Sequence, residues 1–132
     1  MSIAQSFTGF VLFVTYLAVG LGLLVAFTRA YLWLTPYNEA EDIAAGKLAP
    51  AIALVGAMLG FTFPLLVASY TQTSLPGYIA WSALACLVQL SVYWVMYRLL
   101  PRVIESNNSA GATCYAGASL CAGLINAASF IP

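Results

Sequence analysis

Histidine is missing from this chain altogether. Charge is nearly missing too, with four basic and four acidic side chains among 132 residues and a net charge of zero. Without histidine there is no histidine general base, no Ser-His pair and no HExxH zinc site. GxGxxG and P-loop patterns are absent as well, and Gly20-Leu-Gly22 lies inside an apolar run rather than at a strand-to-helix turn. A chain with no excess of positive charge has no electrostatic footprint for nucleic acid. Met1–Phe7 carries no Lys or Arg, which argues against a signal peptide. Three cysteines, Cys86, Cys114 and Cys121, come without a CxxC pair or a methionine cluster. They are expected as small packing residues rather than as disulfides or ligands of a soft metal. No catalytic residue, metal or cofactor is therefore expected, and an enzyme is not.

Apolar side chains take the place of what is absent. The composition is 63% hydrophobic and 6% charged, where soluble domains are about 25% charged. All eight charges fall between Arg29 and Lys47 or between Arg98 and Glu105, leaving the uncharged runs 1–28, 48–97 and 106–132. A helix needs about 20 apolar residues to cross a hydrocarbon core roughly 30 Å thick. The runs therefore hold one, two and one spans. The expected fold is a single all-α membrane domain of four transmembrane helices, over residues 7–34, 48–70, 78–97 and 110–131. Arg29, Lys47, Arg98 and Arg102 then share one side. By the positive-inside rule the charged loops face the cytoplasm and both termini lie outside.

Local signals sharpen this plan. Thr35-Pro36 stops the first span, because proline disfavours an α conformation in the residue before it. Asn38 to Gly46 reads as a short interfacial helix, with Asn38 as cap, Glu41 three residues on and Gly46 as its stop. Its acids Glu39, Glu41 and Asp42 have two readings: cap and dipole partners, or a cation-attracting mouth. Tyr31, Trp33, Tyr78, Trp81, Trp94 and Tyr97 fall where interfacial aromatic belts belong. Gly56-Ala-Met-Leu-Gly60 has the small-xxx-small spacing that admits a neighbouring helix. Pro64 collides with the carbonyl of Gly60, which predicts a kink between them. From Ala110 to Ser129, fifteen of twenty residues are Ala, Gly, Ser, Thr or Cys, the composition of a helix buried in an assembly. Gln89 and Asn126 are amides at membrane depth. They serve either as interhelical hydrogen bonds, each worth on the order of 1 kcal/mol, or as part of an ion or solute path.

The chain also repeats itself. A shift of 61 residues aligns Ile43 with Ile104, Ala49 with Ala110, Ala51 with Ala112, Gly56 with Gly117, Ala57 with Ala118 and Leu59 with Leu120. The unit is two helices, and two helices return the chain to its starting side. The duplication is therefore parallel, with its axis along the membrane normal, and Gly117 is expected to pack as Gly56 does.

Several short pieces, in order, resemble the YjfL-like family of small bacterial inner-membrane proteins, whose shared domain has no known function. They are Thr35-Pro-Tyr-Asn-Glu39, Ile43 with Gly46, Gly60 with Pro64-Leu65, Ala80-Trp81, Val88-Gln-Leu90, Leu100-Pro101 and Gly123-Leu-Ile-Asn-Ala-Ala128. Lys47 departs from the family, which often has asparagine there. The resemblance implies four spans in a bacterial inner membrane and supplies no mechanism. Two functions fit. One is a non-enzymatic structural or accessory protein that forms a homo-oligomer in the lipid bilayer and meets a cytoplasmic or membrane protein partner. The alternative is an ion or small-solute channel subunit.

Overall fold

Ser2 accepts a hydrogen bond from the Gln5 amide at 3.2 Å, and the Gln5 side chain takes one from the Ser2 amide at 2.9 Å. From this reciprocal cap the first helix, α1, runs Ile3–Leu34. The computed structural model describes residues 2–132, so Met1, part of the stretch read above as lacking signal-peptide charge, lies outside the described residues. Thr35 is extended ahead of Pro36 and ends α1. Asn38 caps the short α2, Glu39–Ala44, by accepting from the Glu41 amide at 3.4 Å. Gly46 then turns the chain at φ +88°, a conformation that favours glycine. Ser74 caps α4, Leu75–Leu99, and Asn108 caps α5, Ser109–Ala128.

Helix α3, Leu48–Thr71, has no cap of its own, because Lys47 at its N-cap offers no acceptor. Asn107, in the turn before α5, supplies the acceptor instead, taking the Ala49 amide at 3.0 Å. The two charged loops are thereby tied together at one end of the bundle. At the same end Tyr115 donates to the Leu100 carbonyl at 2.6 Å and closes the last turn of α4.

The tightest packing joins α3 to α5, which run parallel. A Cβ on Gly56 would fall on Ala116, one on Gly60 on the Ser119 carbonyl, and one on Gly123 on the Gly60 carbonyl. Only residues without side chains let two backbones come this close. Pro64 has no N–H to give Gly60, and the carbonyl it leaves free lies against Gly123 of α5. The proline predicted to kink α3 lies within a helix that runs through it without interruption.

Helices α1 and α4 also run parallel, since Tyr16 stacks on Tyr78 at 5.4 Å and Tyr31 meets Tyr93 edge-on at 5.3 Å. Phe27 stacks on Phe61 of α3 at 4.6 Å. Phe27 and Tyr31 are the buried residues of α1, and everything from Ile3 to Val14 is exposed. At 1.5 Å per residue α1 is about 48 Å long and α3 about 36 Å. With Tyr16 already level with the first turn of α4, about ten residues of α1 reach past the end of that helix.

The architecture is all-helical among the described residues. Three helices, α1, α3 and α4, are long and apolar enough to cross a membrane. Helix α5 has the length, at 20 residues. Its Ala, Gly, Ser, Thr and Cys content leaves it short of the apolarity of the other three. Several expectations need correction. Tyr31 and Tyr78 do not form an aromatic belt: they are 2% and 3% exposed, turned inward by their ring contacts, while Trp33 beside Tyr31 is 86% exposed. Cys114 and Cys121 are exposed on α5 rather than packed inside.

Candidate functional site

Because Asn38 caps α2, Glu39 is its first helical residue, and the turn after Pro36 points it under the bundle. It is 1% exposed. Its Oε1 accepts from the Tyr31 hydroxyl at 3.4 Å, a long hydrogen bond, and its Oε2 has no partner. The Tyr31 ring rests on Tyr93, whose hydroxyl is 3.0 Å from that of Tyr37, and Tyr115 meets Tyr93 edge-on at 6.1 Å. Lys47 pairs with Asp42 at 2.8 Å, the one ion pair among the described residues. No cation balances Glu39. Burial pushes its carboxyl up to about 8; the Tyr31 and Tyr37 hydroxyls lower it and the Asp42 charge raises it slightly. Burial, together with the hydrogen bond to Tyr93, raises Tyr37 as well.

The three acids are thus not one feature. Glu39 is inside, Glu41 is exposed and Asp42 is paired with Lys47. Neither a solvated cap nor a shared acidic mouth describes Glu39, because the first turn of so short a helix faces in three directions.

Inward from this cluster runs one face of α4. Tyr78, Ser82, Ala85, Gln89 and Tyr93 recur at helical spacing and are its buried residues. Gln89 is 3% exposed and sits at the α3–α5 seam, its Oε1 beside Gly60. Neither Gln89 Oε1 nor Nε2 has a partner, nor has Ser82 Oγ. Every unpartnered buried side-chain atom found among the described residues belongs to Glu39 or to this face. Asn126, from α5, donates to the Ala85 carbonyl at 3.4 Å between the levels of Ser82 and Gln89. Gln89 and Asn126 therefore address the same helix face without touching Glu39.

Two open grooves lie elsewhere. One, of about 390 Å³, follows the outer side of the α3–α5 seam and is lined by Leu48, Ile52, Val55, Leu59, Ala116 and Leu120. The other, of about 570 Å³, lies between α1, α3 and α4 and is lined by Phe13, Leu17, Leu66, Tyr70 and Tyr78 among others. Neither includes Gln89 or Asn126. Gly56, Gly60 and Pro64 lie in α3 at or near the seam. Gly117 does not join them: a Cβ there meets open space, because Ala116, Ser119 and Gly123 form the contacting side of α5.

Sequence reasoning missed Tyr31, Tyr37, Tyr93, Tyr115 and Ser82 as parts of a site. One signal was available. Five of eight tyrosines, Tyr31, Tyr37, Tyr93, Tyr97 and Tyr115, fall within or near the two charged stretches, more than a belt on one side requires.

Comparison with known proteins places these features in a family. The family described as Domain of Unknown Function (DUF350) matches residues 5–130. The UPF0719 inner membrane protein YjfL of Escherichia coli strain K12 is 31% identical over 119 residues, covering 88% of this chain and 90% of that protein. The protein of the same name from Escherichia coli O157:H7 matches to the same extent. No solved structure matches. The chain belongs to the DUF350 family.

Proposed function

We propose that this member of the DUF350 family is a small multi-pass protein of the bacterial inner membrane that acts without catalysis, as a self-associating structural or accessory component. The observation that carries this reading is the burial of Gln89 and Asn126 between helices, away from both open grooves. A conducting path would leave such amides on a continuous wet surface. Self-association is favoured by the groove beside the α3–α5 seam, whose apolar and small residues offer a second copy a close approach.

In this reading α5 is the fourth span. Its 20 residues reach about 30 Å, and it follows α3, which is apolar enough to cross, in backbone contact. The charged loops face the cytoplasm and both termini lie outside. A parallel duplication, with α1 and α3 equivalent to α4 and α5, has two supports. Helices α3 and α5 begin 61 residues apart, at Leu48 and Ser109. The ring pairs Tyr16–Tyr78 and Tyr31–Tyr93 share one separation along the chain.

A second reading, a channel or transport subunit, draws on the unpartnered atoms of Glu39, Ser82 and Gln89, since orphaned polar atoms in an interior mark unseen water or ions. Ion flux into liposomes, run beside subunit counting in lipid nanodiscs, separates the two. The structural reading expects an oligomer and no flux. Flux that the double variant Gln89→Leu, Asn126→Leu loses while still assembling would replace it with the transport reading. A monomer in nanodiscs would remove self-association.

A further inference from the structure

Glu39 poses a question that neither reading answers. A carboxyl group that is 1% exposed, with one hydrogen bond of 3.4 Å and one oxygen unpartnered, faces no cation. Helix α1 brings Tyr31 to it, the turn before α2 brings Tyr37, and α4 brings Tyr93. Asp42, a turn further along α2, adds a like charge. The first turn of α3, Leu48-Ala49-Pro50, carries no charge, and Lys47 ahead of it is taken by Asp42. In the turn before α5, Glu105 accepts from Tyr97. Tyrosine hydroxyls cannot compensate a full buried charge, whereas a neutral carboxyl is tolerated there.

We propose that Glu39 is a proton-binding site, and that the proton it holds keeps α2 seated under the charged-loop end of the bundle. When the proton leaves, the carboxylate gains by reaching water, and the short α2 is held by the segments Thr35–Asn38 and Ala45–Lys47 and by its contact with α3. The sign follows from linkage. Seated, the group titrates near 8; released, it returns toward its ordinary value of 4.5. Seating is therefore strongest below pH 4.5, weakens by about tenfold per pH unit as pH rises toward 8, and changes no further above that.

The full chain in nanodiscs supplies the test. Infrared spectroscopy reads the C=O stretch of a protonated carboxyl across pH, with Glu39→Gln as the reference, and hydrogen exchange of the α2 amides is compared with the same variant at each pH. Expected are a band that the variant lacks, half lost near pH 8, and α2 exchange that rises over the native variant-corrected baseline from pH 5 to 8. A band titrating in the ordinary carboxylate range overturns the proposal, as does α2 exchange that tracks Glu39→Gln at every pH. Tyr31→Phe keeps the test independent of whether Glu39→Gln folds. It removes a hydroxyl that favours the charged form, so the midpoint should move upward; an unmoved or lower midpoint counts against the site.

Discussion

Helices α3 and α5 meet where side chains are missing, at Gly56, Gly60 and Gly123, whereas α1 and α4 meet through the rings of Tyr16, Tyr78, Tyr31 and Tyr93. Both pairs are parallel. In the first, backbone touches backbone, and one added carbon has nowhere to go. In the second, rings with two rotatable bonds make the contact and can shift with their neighbours. The molecule thus combines a seam that is intolerant of a single atom with a contact that degrades by steps.

The largest effect should come from Gly123→Val, whose Cβ lands on the Gly60 carbonyl. Overpacking against immovable backbone should cost about 3 kcal/mol, seen as a large fall in the thermal midpoint in nanodiscs. A stable Gly123→Val protein would mean that the two backbones are not in contact. Asn107→Gly comes next. It keeps the left-handed turn at φ 52° but removes the acceptor for the Ala49 amide. A loss of about 1 kcal/mol, with faster amide exchange confined to the first turn of α3, is the expected result. Tyr16→Leu should loosen the ring contact by roughly 0.5–1 kcal/mol, measured as a smaller shift that leaves the α3–α5 amides protected. Gly117→Val should cost the least, under about 0.5 kcal/mol, because open space surrounds it six residues from Gly123. If it matched Gly123→Val in a nanodisc but not in dilute detergent, Gly117 would belong to a contact between copies.

Much of the frame is legible in the sequence. Pro36, Asn38, Gly46 and the uncharged runs place the ends of α1, α2 and α3 within a few residues, because caps and breakers act locally. Which side of a helix turns inward was harder. Gly56 and Gly117 align in the repeat, yet only Gly56 touches its neighbour, since a shift of one residue rotates a helix by 100° and removes a side chain from the seam. Glu39 was equally opaque. Nothing in Glu39-Ala-Glu-Asp distinguishes the acid that goes inside from the two that stay out; contact with Tyr31, whose ring is itself held by Tyr93 of α4, decides it. Asn107 and Lys47 are likewise 60 residues apart in sequence, so the borrowed cap of α3 has no local sign.

The overhang of α1 has a consequence for the lipid around it. The uncharged part of α1, residues 3–28, is about 39 Å long against a hydrocarbon core of roughly 30 Å, and the exposed Phe7 and Phe10 lie toward its N-terminal end. Such a mismatch is relieved by leaning the helix or by thickening the nearby bilayer. Leaning is the easier course here, because α1 is fastened near its C-terminal end, at Phe27 and Tyr31, and by one ring contact at Tyr16. The seam need not move when it does. A thinner bilayer therefore inclines the N-terminal third of α1 further, and a thicker one lets it stand closer to upright.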